Sequence, residues 1–153
     1  LVIESLTPME SPIITTADDC AEALADIGMD NVEAMVDIVP PNIAYEPVTS
    51  YLEKMPGKVR YAHICNNDGR TDSHTRLDDG TMPVLDILHE LQAAGFDGYA
   101  TVELYSECYK DPSVMLANAA RILKLRDERP WVRRRPPADA YSPRTASSCP
   151  VSE

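Results

Sequence analysis

Val59-Arg60-Tyr61-Ala62-His63-Ile64, running on into Cys65-Asn66-Asn67-Asp68-Gly69-Arg70-Thr71-Asp72-Ser73-His74, is the stretch from which the fold is read. Its first six residues are rich in β-branched and aromatic side chains and have the length of a single strand. The remainder is polar, carries Gly69, and is long for a strand-to-helix connection. Beyond it, Pro83 opens a segment in which Val84, Ile87, Leu88 and Leu91 share one face, and Gly95 ends it. Strand, polar loop and amphipathic helix together make one βα unit.

The same unit recurs on both sides. Leu1–Glu4, Val32–Asp37 and Tyr99–Leu104 are the other strand-like runs. After the first, Thr16 can cap a helix with Asp18 and Asp19 in its first turn, Cys20, Leu24 and Ile27 on one face, and Gly28 as its stop. After the second, Pro47 stands where a first helical residue would, followed by Val48, Tyr51 and Leu52, with Gly57 beyond the end. After the fourth, Asp111-Pro112 reads as a cap and first-turn proline, with Met115, Ala119, Ile122 and Leu123 as the buried stripe.

Strands that alternate with helices imply an α/β fold, a parallel sheet with helices packed outside it. Four such units are half of a (β/α)8 TIM barrel, which takes about 250 residues when complete. The chain has 153 residues and opens on Leu1 rather than Met. Residues 1–126 are therefore expected to be the C-terminal half of a barrel, with an independent four-unit α/β sheet as the alternative. A half barrel has two unpaired strand edges, so a homo-oligomer is expected.

Composition narrows the function classes. The formal charge is -11, from 25 acids against 14 bases. Such a surface repels phosphate backbones, which argues against general nucleic-acid binding. No apolar run approaches the roughly 18 residues of a membrane span, and no secretory pattern stands at the start. Residues 127–153 change character: five of the 13 prolines fall there, and five Arg stand against four acids. That segment is expected to be a disordered, solvated tail, Arg133-Arg134-Arg135 included. Cys20, Cys65, Cys108 and Cys149 form no C-x-x-C pair, and are expected to be reduced thiols of a cytoplasmic protein.

Each strand-like run carries a metal-capable side chain near its C-terminal end: Glu4, Asp37, His63 and Glu103. Barrels place their active sites at those ends, where the βα loops converge. Three carboxylates meeting at one point repel one another, and a divalent cation resolves the conflict. An oxygen-rich set with one His suits Mn2+ foremost, then Mg2+ or Co2+, with Zn2+ a further candidate. A lone acid at a strand end is more often a cap or a solvated loop residue; four in succession are harder to explain that way. Glu10, on the loop after the first run, can hydrogen-bond a substrate hydroxyl or be a plain surface acid. The loop after His63 offers Asn67, Arg70, Asp72 and His74 as substrate-binding groups.

The composite of E-S-L-T-P-M-E-S at 4–11, V-D at 36–37, H-I-C-N-N-D-G-R-T-D-S-H at 63–74, D-G at 79–80 and V-E-L at 102–104 resembles the xylose-isomerase-like TIM-barrel superfamily. Within it the pattern is most similar to ketose 3-epimerases of the fructoselysine 3-epimerase type. The resemblance covers about residues 1–125 and corresponds to the second half of that fold. It implies that Glu4, Asp37, His63 and Glu103 are metal ligands and that Glu4 and Glu103 are the acid/base pair. It also implies that Glu10 contacts substrate, and that Asp72 and His74 match a D-x-H element which binds a further metal in related endonucleases. Those nucleases carry a His where this chain has Pro40. The implied activity is epimerisation or isomerisation of a ketose or ketosamine, by proton abstraction next to the carbonyl through an enediolate. The alternatives are a metal-dependent dehydratase or endonuclease of the same fold, or an inactive fragment or binding module.

Overall fold

The computed structural model describes residues 1–105 and 111–128. Four strands appear among them: β1 (Val2–Ile3), β2 (Glu33–Asp37), β3 (Val59–Ile64) and β4 (Tyr99–Val102). Five helices accompany them: α1 (Ala17–Ile27), α2 (Val39–Ala44), α3 (Ser50–Lys54), α4 (Val84–Ala93) and α5 (Pro112–Glu128).

The strands form one parallel sheet in the order β1-β2-β3-β4. Each crossover steps to the next position in the same direction. A doubly wound sheet would reverse direction at a switch point, so this sequential order selects the barrel arc over the independent sheet.

Strand alternation divides the side chains between two faces. Ala34, Val36, Ala62 and Ile64 are almost wholly buried in one core with Cys20, Tyr51, Leu88 and Leu91 from the helices. The other face carries Met35 and Asp37 on β2, opposite Tyr61 and His63 on β3. Tyr61 stacks on Tyr99 of β4 with ring centroids 6.1 Å apart. Tyr99 is 75% exposed on that open side.

Local chemistry sets the helix ends. The Thr16 side chain accepts from the Asp19 backbone N–H, while the Asp19 carboxylate accepts from the backbone of Thr15 and Thr16. Gly28 closes α1 with φ 61°, a left-handed conformation that an L side chain adopts at a cost. Two features depart from the sequence reading. The helix expected from Pro47 begins at Ser50, and the preceding residues form a turn closed by Ser50 N–H to Pro47 O, 3.0 Å. A further helix, α2, lies over Pro40-Pro41, where the sequence reading placed none. Proline is compatible with a first turn, whose N–H groups have no intrahelical acceptor.

α5 runs to Glu128, slightly past Asp127, where the composition changes. The tail from 129 onward, Arg133–Arg135, Cys108 and Cys149 lie outside the described residues. Cys20 and Cys65 are buried free thiols. Among the described residues no helix is long and apolar enough to cross a membrane.

Candidate metal centre

Asp37 ends β2 and His63 is the last residue but one of β3; the two are register partners, so their side chains stand side by side. Glu4 follows β1 directly. Glu103 follows β4, where its backbone N–H continues the ladder to Ile64 O at 3.2 Å. The four side chains converge, with one ligand-type atom from each within 4.8 Å of the others. Donors that share one ion at about 2.1 Å lie up to about 4 Å apart, so the set is on the scale of a single cation.

His63 Nδ1 is the centre of the group. It lies 3.0 Å from Glu4 Oε1, 2.9 Å from Glu103 Oε2 and 3.7 Å from Asp37 Oδ2. Despite those distances it is buried without a hydrogen bond of acceptable geometry. Asp37 foremost, then the charges of Glu103 and Glu4, raises the His63 pKa to about 9 against the opposing effect of burial. Burial holds the Glu4 carboxyl above its usual range; His63 opposes the rise, and Asp37 and Glu103 reinforce it. The field therefore favours a positive charge at this point. A nitrogen facing three carboxylates without a hydrogen bond is the arrangement a divalent cation satisfies, and the donor set fits one.

The surroundings fix the ligands. Asp37 Oδ1 accepts from Val39 N–H at 2.7 Å, which leaves Oδ2 toward His63. The chain after Glu4 is anchored by Ser5 Oγ and Tyr51 Oη, 2.6 Å apart and buried.

The loop between β3 and α4 folds back over the centre. Asn66 pairs with Thr75 in an antiparallel bridge and donates through Nδ2 to Leu77 O and Met82 O. A Cβ on Gly80 would stand 2.2 Å from Asn66 Oδ1, so close approach requires glycine there. Asn67, expected to bind substrate, is fully buried; its Nδ2 donates to Thr71 O and Ser73 O, and its Oδ1 accepts from Gly69 N–H. Arg70 is exposed, and its backbone N–H closes a turn on Asp68. Neither lines the cavity over the centre, whereas Glu4, Glu10, Asp37, His74 and Glu103 do. Asp72 stands beside it: its Oδ1 is 3.8 Å from His74 Nε2.

Tyr105 is a site residue that the sequence reading passed over. Its ring stacks on His74 at 4.1 Å and 11°, and its hydroxyl meets Asp72 and Glu10. Its position just after V-E-L was the available signal, but the ring contact depends on a loop more than 30 residues earlier in the chain.

The family model for xylose isomerase-like TIM barrels matches residues 1–134. The chain belongs to the xylose isomerase-like TIM barrel family. Within this family it is 36% identical over 132 residues to the fructoselysine 3-epimerase of Shigella flexneri, covering 84% of this chain and 48% of that protein. It is also 36% identical over 119 residues to the fructoselysine 3-epimerase of Escherichia coli O157:H7, covering 78% and 43%. A solved L-ribulose 3-epimerase superposes with a TM-score of 0.68 at 23% identity, over 84% of this chain and 47% of that one, which shows the shared fold. The chain thus spans about half the length of these proteins.

Proposed function

We propose that this chain carries the catalytic end of a metal-dependent sugar epimerase that acts on a ketose or ketosamine. One observation carries the proposal. Glu4 and Glu103 directly follow the two outer strands of the sheet, and both reach His63 Nδ1, at 3.0 and 2.9 Å. Inverting a carbon next to a carbonyl takes one group to remove the proton and another to return it from the opposite side. Two carboxylates from non-neighbouring strands suit that division. Similarity to two fructoselysine 3-epimerases supports the same class.

Glu4, Asp37, His63 and Glu103 would hold the cation. Bound there, a divalent ion supplies Lewis-acid stabilisation of negative charge on the substrate oxygens. One glutamate takes the proton from the carbon beside the carbonyl, and the other delivers a proton to the opposite face of the enediolate. A ligating carboxylate is ordinarily a weak base; the burial that raises Glu4 offsets part of that weakness. Glu10, at the cavity rim, binds a substrate hydroxyl. Pro40 lines the same cavity and offers no ligand atom, which favours one ion over the multi-metal nuclease alternative.

The test is exchange in D2O. The protein, produced at the full length of its gene and loaded with Mn2+, is incubated with a ketose or ketosamine and followed by NMR. Deuterium at the carbon beside the carbonyl, together with the epimer, is expected. Absence of both across a panel of such sugars overturns the proposal in favour of a dehydratase or a binding module.

A further inference from the structure

The backbone holds Glu103 from two sides. Its own N–H reaches Ile64 O of β3 at 3.2 Å, and the N–H of Tyr105 reaches His74 O at 3.0 Å. The second bond ties the end of β4 to the long loop after β3. The same loop brings the His74 side chain to the Glu103 carboxylate, with Nδ1 3.3 Å from Oε2. That nitrogen is buried and has no hydrogen bond elsewhere among the described residues. Hydrogen bonds at an unliganded site are often long and tighten when the site fills.

The imidazole is clamped, whereas the carboxylate is not. His74 is 6% exposed, and its ring stacks on Tyr105 at 4.1 Å and 11°. Tyr105 Oη donates to Asp72 Oδ2 at 2.8 Å, and Asp72 Oδ1 lies 3.8 Å from His74 Nε2. Thr75, the next residue, exchanges two backbone hydrogen bonds with Asn66. The Glu103 side chain is 37% exposed, so its torsions need an outside constraint. Asp37, Cys65 and His74 also offer ligand-type atoms within 4.8 Å of one another, which makes a second cation the rival reading. Both Asp37 oxygens are already engaged, by Val39 N–H and by His63.

We infer that His74 is a positioning residue for Glu103: it aims the carboxylate and touches neither substrate nor ion. The inference rests on the epimerase reading above and adds a residue that acts through one of its two carboxylates. A misplacement of about 1 Å in a reacting group can cost about 100-fold in rate.

The test uses the full-length protein with two readouts: Mn2+ affinity by calorimetry, and kcat and KM of deuterium exchange into a ketose or ketosamine. His74→Phe keeps a ring against Tyr105 and removes both nitrogens. His74→Asn leaves an amide near the place of Nδ1, and His74→Gln leaves one near the place of Nε2. His74→Phe and His74→Gln should each lower Mn2+ affinity and kcat by about tenfold or more, with KM within about twofold. His74→Asn should recover most of both losses. The comparison of Asn with Gln stands even if Phe does not fit. In a Glu103→Ala background the same changes should no longer move Mn2+ affinity, because His74 acts through Glu103. Losses that add in that background overturn the inference. So does a raised KM with unchanged kcat, which would make His74 a substrate contact, or a second Mn2+ lost in His74→Phe, which would make it a metal ligand. A wild type that takes up no Mn2+ overturns both this inference and the metal centre. Coupled Mn2+ affinities without exchange on any sugar would contradict the epimerase reading and leave the positioning role standing. Exchange with additive losses would do the reverse.

Discussion

The arrangement of three carboxylates within 3.7 Å of His63 Nδ1 defines the candidate metal centre. It makes His63 the residue on which a bound ion depends most. His63→Ala should weaken Mn2+ affinity by more than the roughly 10–100-fold that loss of an outer partner of a ligand costs. Titration with Mn2+ checks this, and unchanged affinity would remove the metal centre. Glu103→Gln keeps an oxygen donor but cannot accept a proton from carbon. It should retain part of the metal affinity and lose deuterium incorporation into substrate; normal incorporation would exclude Glu103 as an acid/base group. The four converging residues were legible in the sequence because each stands at the end of a strand-like run, and strand ends in a barrel face one place. Asn67 and Tyr105 were not legible. A polar residue in a long loop reads the same whether it faces a ligand or braces the loop, and only the folded path shows that the Asn67 amide is consumed by Thr71, Ser73 and Gly69.

Among the elements, α1 followed its sequence most closely, because its signals are local. Thr16, Asp19 and Gly28 each act within a few residues of themselves. Thr16→Ala should cost about 1 kcal/mol of stability, measured by urea unfolding. The Asp19 carboxylate accepts from the Thr15 backbone foremost, with further bonds from Thr16 and the Thr15 hydroxyl, and these hold its pKa below the ordinary 3.8. A lowered folded-state pKa means stability that is present above 3.8 and lost as pH falls through the folded value. The urea midpoint gap between wild type and Asp19→Asn should therefore be full near neutrality and close under acid. A gap independent of pH would show that the carboxylate charge contributes nothing. α2 was missed for the opposite reason: Val39 N–H is taken by Asp37, so the strand end itself supplies the helix start. No cap residue of the usual kind announces it.

At the scale of the whole molecule, the decisive fact is a parallel sheet whose strands follow chain order, with four ligand-type residues at one end. The alternation of strand and helix was visible in the sequence; the sheet order was not, since it depends on which strands pair. Close contact between β3 and the start of β4 is part of that order. A Cβ on Gly98 would stand 2.0 Å from Arg60 O, so Gly98→Ala should destabilise the protein by about 1–3 kcal/mol in urea unfolding. Unchanged stability would mean that the two strands do not approach as described. The central claim is that Glu4, Asp37, His63 and Glu103 hold one divalent ion together, and anomalous diffraction at the manganese edge from Mn2+-soaked crystals tests it most directly. One peak is expected, about 2.1 Å from His63 Nδ1 and from an oxygen of each of the three carboxylates. A map with no peak among these four residues, at a Mn2+ concentration that saturates the protein in solution, would contradict it.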